Sequence, residues 1–185
     1  MPTPVPHIAF SHVGIHVHDL AAMEDFYTRL LGLVVTDRGP LDTPLGVLDF
    51  VFLSRDPREH HQLVLASGRP AETPFNVLNQ ISFRLESLAD LRTLHDRLRD
   101  FPASDIVPIH HGNALSVYFR DPEGNRVELF IDTPWYVTQP LRIQFDFAES
   151  DDALMRWAED TARALPGFRP VGQWRREMAA RMGLE

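Results

Sequence analysis

Two stretches of the chain alternate apolar and polar residues with the period of a half-buried strand, and they do so in the same phase. When Ser11-His12-Val13-Gly14-Ile15-His16-Val17-His18-Asp19-Leu20 is set above Asn79-Gln80-Ile81-Ser82-Phe83-Arg84-Leu85-Glu86-Ser87-Leu88, apolar positions coincide at Val13/Ile81, Ile15/Phe83, Val17/Leu85 and Leu20/Leu88. Each stretch then meets a residue whose side-chain oxygen can accept from the opening amides of a helix, Asp19 in one and Ser87 in the other. Asp90, three residues after Ser87, gives the second copy a capping-box pattern. The helices that follow keep step. Leu20, Met23, Phe26, Tyr27 and Leu30 share one stripe of the first, and Leu88, Leu91, Leu94 and Leu98 share one stripe of the second. Gly32 and the Phe101-Pro102 pair end them.

Strands are predicted after each helix, near 33–37, 48–54 and 61–65 in the first half and near 105–109, 114–120 and 126–131 in the second. Asp121-Pro122-Glu123-Gly124-Asn125 is a turn joining the last two, and Arg55-Asp56-Pro57-Arg58-Glu59 stands at the matching place. The order βαβββ therefore occurs twice, at 8–66 and 77–132, with 67–73 as the link. The pattern predicts an α+β fold, and tandem modules of this order can close into a curved, cup-like mixed sheet. Beyond Asp132 the period changes. An extended aromatic-rich run, Thr133-Pro134-Trp135-Tyr136-Val137-Thr138-Gln139-Pro140, leads to a predicted helix at 153–165 and a short one around Trp174. This C-terminal extension, 133–185, completes what reads as one domain of 185 residues.

Composition narrows the chemistry. There is no Cys, so disulfides, thiolate nucleophiles and Cys-ligated zinc are out, and any metal must be held by His, Glu, Asp, Asn or Gln. All 18 basic residues are Arg, which excludes a Schiff-base lysine. A net charge of -8 argues against a nucleic-acid partner. No apolar run is long enough to span a bilayer and the N-terminus lacks the marks of a signal peptide, so a cytoplasmic protein with no membrane partner is expected.

Against that background a few side chains stand out. Glu128 sits in the apolar run Val127-Glu128-Leu129-Phe130, where a buried charge needs a cation or donors, although an outward-facing Glu on an edge strand reads the same way. His12 begins the first strand of one repeat and Gln80 holds the same place in the other. Duplicated strands can bring equivalent side chains together, and His12, Gln80 and Glu128 then offer one nitrogen and two oxygens to a common ion, close to a two-His-one-carboxylate set. A second group is His60-His61, His110-His111-Gly112-Asn113 and Tyr118. Imidazoles there can move protons near neutral pH, and a phenol can hydrogen-bond an oxyanion. Alternation along a strand turns one member of each His pair inward and leaves open which.

The run from His12 to Leu20, followed by Phe26-Tyr27 and Leu31-Gly32-Leu33, resembles the opening of glyoxalase, bleomycin-resistance and extradiol dioxygenase proteins, the vicinal oxygen chelate superfamily. Tyr118-Phe119-Arg120-Asp121-Pro122-Glu123-Gly124-Asn125-Arg126-Val127-Glu128 is similar to its closing signature, and the likeness covers about residues 8–132. The pattern is most similar to short single-domain type I extradiol dioxygenases. That likeness implies metal ligands at His12, Gln80 and Glu128, an acid–base histidine at His61 and a substrate-contacting phenol at Tyr118. His60, His110, His111 and Asn113 would line the substrate. It also implies Fe(II) ahead of Mn(II), Zn(II) or Ni(II), a small-molecule catechol-type substrate and a homodimer. The departure is Gln80, where the dioxygenases carry His. A glyoxalase-like lyase or isomerase is the alternative, but its pattern has a Glu near the end of the first module, where Gln62 stands. A bleomycin-resistance-like protein that binds a small molecule without converting it is the other.

Overall fold

The computed structural model describes residues 8–72 and 76–184. Thr73, at the end of the predicted link, lies outside the described residues. The chain divides into two compact units, Met1–Phe75 and Asn76–Glu185.

The first unit runs β1 (Val13–His16), α1 (Leu20–Leu31), β2 (Val34–Thr43), β3 (Gly46–Ser54) and β4 (Leu63–Ala66). Asp19 caps α1 as expected, accepting from the Ala22 amide at 2.9 Å. Gly32 ends the helix in the left-handed region at φ 68°, where a side chain would be strained, and the Arg55 guanidinium donates to the Leu31 carbonyl beside it. The four strands lie in the order β1-β4-β3-β2, with β1 parallel to β4 and the other neighbours antiparallel. Met23, Phe26, Tyr27 and Leu30 of the predicted stripe are buried, packing with Val51, Leu53, Leu63 and Leu65 of the sheet.

The second unit repeats the order with β5 (Ile81–Arg84), α2 (Leu88–Arg97), β6 (Ser104–His110), β7 (Ala114–Arg120) and β8 (Arg126–Asp132). Ser87 caps α2 through the Asp90 amide, and a short 3-10 turn, Leu98–Asp100, carries the helix to Phe101. β5 is parallel to β8, as β1 is to β4. Each post-helix strand, β2 and β6, also slips register near its start, at Val35/Asp37 and Ser104/Val107. The expectation was one mixed sheet; the hydrogen bonding gives one sheet per module, because each first strand pairs with the last strand of its own module.

The extension adds β9 (Trp135–Tyr136), β10 (Ile143–Gln144), α3 (Asp151–Arg163), β11 (Arg169–Pro170) and α4 (Val171–Met182). β10 joins the sheet of the second unit beside β6, giving the order β10-β6-β7-β8-β5. Leu154, Ala158 and Ala162 bury one face of α3, while Trp157 is partly exposed. Trp174 of α4 stacks on Tyr136 with ring centroids 5.1 Å apart. Among the described residues no helix is long and apolar enough to cross a membrane.

Candidate active site

The parallel and antiparallel registers of the second unit build a polar cluster on one face of its sheet. Glu128 on β8 is opposite Ser82 on β5 and opposite Tyr118 on β7. Only 7 % exposed, its carboxylate takes the Ser116 hydroxyl on Oε1 at 2.8 Å, and the Ser82 hydroxyl and Gln80 Nε2 on Oε2 at 2.6 and 2.7 Å. Ser116 and Tyr118 are two residues apart on one strand and Gln80 and Ser82 two apart around another, so alternation puts all four on the face of Glu128.

His111 completes the group. Its Nε2 lies 3.1 Å from the Tyr118 hydroxyl and 3.8 Å from Glu128 Oε1. Burial, and then the neighbouring Glu128 carboxylate, push the Tyr118 phenol up to about 12. The Arg126 guanidinium lies over its ring, 4.2 Å from the centroid. Gln80, Ser82, His111, Tyr118 and Glu128 line a cavity of about 300 Å³ together with Asn113, Ala114, Phe130, Asp132 and Gln139. That is the lower end of the range for small-molecule sites.

In the first unit His12 and His61 are neighbours, with ring centroids 4.2 Å apart, and the His60 and His61 Nδ1 atoms are 2.8 Å apart. Two imidazole nitrogens at that distance share one proton, one donating and the other accepting. Burial, with His12 and His60 alongside, pulls His61 below the ordinary histidine range. Both lie before β4, which begins at Leu63, whereas the sequence put His61 at the start of that strand.

Of the residues singled out in the sequence, Gln80, His111, Asn113, Tyr118 and Glu128 meet at one cavity. His110 does not line it: its ring is fully buried, 5.4 Å from the Trp157 ring. Ser82 and Ser116 are the functional neighbours that sequence reasoning missed; their parity with Gln80 and Tyr118 was the available signal. Gln62 is engaged elsewhere, its Oε1 accepting from the Arg55 amide at 2.9 Å. The register names a different counterpart for Glu128 in the first module. Ser82 pairs with Glu128 as Gly14 pairs with Val64, and Tyr118 with Glu128 as Phe52 with Val64. Hydrocarbon occupies the equivalent places there.

Glu128 suits a divalent cation. Its charge is removed from water, the donors on it are two hydroxyls and an amide, and the basic group paired with it among the described residues is His111 at 3.8 Å. A carboxylate offers about four acceptor directions, and those three donors leave one open. Gln80 presents its nitrogen to the carboxylate, so its ligating oxygen becomes available only with the amide turned over. Among the described residues no three His, Asp or Glu side chains gather as a metal site.

The sequence model of the Glyoxalase/Bleomycin resistance protein/Dioxygenase superfamily matches residues 9–129. The chain is 36% identical over 135 residues to Biphenyl-2,3-diol 1,2-dioxygenase 3 of Rhodococcus globerulus, covering 70% of this chain and 65% of that protein, just under two thirds of its length. It is 29% identical over 185 residues to Biphenyl-2,3-diol 1,2-dioxygenase 2 of the same organism, covering 85% of this chain and 93% of that one. Among solved structures, a glyoxylase/bleomycin resistance protein/dioxygenase domain from Frankia sp. EAN1pec superposes with a TM-score of 0.58 at 25% identity, covering 69% of this chain and 100% of its own.

Proposed function

This chain belongs to the glyoxalase/bleomycin resistance protein/dioxygenase superfamily, and we propose that within it the chain is a metal-dependent extradiol-type dioxygenase that opens the ring of a catechol-like aromatic diol. The observation that carries this reading is the similarity to two proteins named for biphenyl-2,3-diol 1,2-dioxygenation, one of them matched over nearly its whole length. The cavity supports it, since Phe130 and Ala114 line it beside several polar groups.

The proposed ligands are those read from the sequence, His12, Gln80 and Glu128, with Fe(II) as the favoured metal. When bound, such a metal supplies a Lewis-acidic, redox-active centre for adjacent diol oxygens and O2. The chain's own residues then have distinct tasks. Tyr118 keeps its proton throughout the neutral range and, with that hydrogen lying on His111 Nε2, turns its oxygen to the diol as an acceptor for the remaining diol hydroxyl. His111 holds that phenol from the other side at 3.1 Å. His61, sharing a proton with His60, takes up a diol proton and returns it to the opened product. Ser82 and Ser116 fix the Glu128 carboxylate in place.

Anaerobic loading with Fe(II), followed by biphenyl-2,3-diol and measured O2, tests the reading: one O2 per diol with loss of the aromatic absorbance is expected. Fully loaded protein that leaves a panel of catechols and the dissolved oxygen untouched would sink it. One observation favours a second reading, ligand binding without conversion, because neutral donors already engage both oxygens of Glu128. Metal content separates the two. A purified protein that takes up no divalent ion, and binds diols equally well after His12→Ala, is a binder. The lyase reading loses support from Val64, which puts an apolar residue where the first module would carry its carboxylate.

A further inference from the structure

The C-terminal extension reaches into the cavity at one point, and it does so through a closed ring of hydrogen bonds. His111 Nδ1 lies 2.6 Å from the Leu141 carbonyl oxygen. A carbonyl only accepts, so Nδ1 carries the hydrogen, and in the neutral ring Nε2 is left with its lone pair facing the Tyr118 hydroxyl. Gln139 ties both ends of that bond. Its Nε2 donates to the His111 carbonyl at 2.6 Å and its Oε1 accepts from the Leu141 amide at 3.2 Å. The ring is anchored on both sides. Ile143 and Gln144 pair with His110 and Ile109 of β6. Val137 packs so closely on Gly112, at φ 80°, that a Cβ there would fall 1.9 Å from Val137 Cγ2.

We propose that Gln139 is a positioning residue for the active site: by holding the Leu141 carbonyl against His111 it sets the imidazole in the Nδ1–H tautomer and aims Nε2 at Tyr118. The extension is thereby a working part of the site and not only a cover for the sheet, although it lies beyond the residues the superfamily pattern matches. The kinetic part of this inference rests on the proposed ring-cleaving reaction; the tautomer does not. Ring geometry is at stake rather than charge. A His111 released from the Leu141 carbonyl is free to take the other tautomer and present Nε2–H to Tyr118, and the phenol would lose the acceptor that directs its hydrogen.

Proton–nitrogen correlation spectra of protein labelled with nitrogen-15 histidine, as purified and after loading with diamagnetic Zn(II), read the tautomer directly. Loss of a signal in His111→Asn assigns it. Wild-type His111 is expected to show a proton-bearing Nδ1 and a bare Nε2. Gln139→Ala removes the bonds to His111 and Leu141, together with a longer one to the Val137 carbonyl at 3.4 Å. Gln139→Glu keeps the acceptor for Leu141 but sets a carboxylate oxygen against the His111 carbonyl. Both variants are expected to mix the tautomers and to lower kcat with biphenyl-2,3-diol by about tenfold, with KM within about twofold. A proton on Nε2 in the wild-type spectrum overturns the proposal without any variant being needed. An unchanged His111 signal in Gln139→Ala, or a changed signal with wild-type kcat, also overturns it. If wild-type protein converts no diol, the proposed reaction fails, and the spectra alone then decide the role of Gln139.

Discussion

Ser82 stands opposite Glu128 in the parallel pairing of β5 with β8 and donates its hydroxyl to the carboxylate at 2.6 Å, while Ser116 donates to the other oxygen at 2.8 Å. A hydrogen bond to a charged, buried acceptor contributes on the order of 1.5–3 kcal/mol, and its loss leaves that acceptor partly unmet. Ser82→Ala and Ser116→Ala are each expected to lower unfolding free energy by about 1.5–3 kcal/mol, read from urea midpoints. In a Glu128→Gln background both losses should shrink to below about 1 kcal/mol. Losses of equal size in the two backgrounds would show that the serines do not act through the carboxylate.

His110 makes acid stability testable. Burial first, and then His111, hold its imidazole down to about 4, below the usual histidine value of 6.5, against a smaller upward pull from the Gly112 backbone. Below about pH 6.5 the unfolded chain takes up a proton that the folded chain refuses. Stability from this group is therefore complete above that value, declines as pH falls towards about 4, and is level below it. The span is worth no more than about 3 kcal/mol. Urea titrations of wild type and His110→Phe between these limits should differ in slope. Parallel curves would remove His110 as the cause.

Arg92 on α2 holds the lead-in to α3. Its guanidinium donates to the Asp151 carboxylate at 2.8 Å and to the Phe147 and Glu149 carbonyls at 2.6 and 2.7 Å, and it lies 5.0 Å from the Phe147 ring centroid. A lysine has one nitrogen and cannot reproduce that fork. Arg92→Lys is expected to cost about 1–2 kcal/mol, and Arg92→Ala about 2–4 kcal/mol, with faster amide exchange confined to residues around 145–163. Uniform acceleration across the second unit would argue against a local clamp.

Metal removal gives a fourth test. If Glu128 is a ligand, Glu128→Ala and His12→Ala each lower bound divalent metal, by at least about tenfold in affinity, without unfolding the chain. Elemental analysis after dialysis against Fe(II) or Mn(II) measures it. Wild-type occupancy in both variants would rule out that ligand set.

Much of this was legible in the chain itself. The duplicated apolar phase located both modules, and Asp19 and Ser87 marked the helix starts because capping depends on one local side chain and its own amides. Glu128 was visible for the opposite reason, as a charge inside hydrocarbon. The serines were invisible: a lone hydroxyl on a strand has no distinctive pattern, and only the strand registers put Ser82 and Ser116 beside the carboxylate. The choice between His110 and His111 was equally hidden. The chain leaves β6 at His110 and turns at Gly112, so simple alternation no longer says which ring faces the cavity. Gln139 could not be found from the sequence either, because its partners are backbone atoms at His111 and Leu141, a contact no residue-type pattern encodes.

In the first module Phe52 and Val64 fill the register positions that Tyr118 and Glu128 fill in the second. The same backbone therefore folds with either hydrocarbon or polar groups at those two addresses, and architecture alone gives no reason to keep the polar pair. Whatever retains a tyrosine and a glutamate in the later copy acts on what the molecule does, since a hydrophobic pair would hold the strands together at less risk.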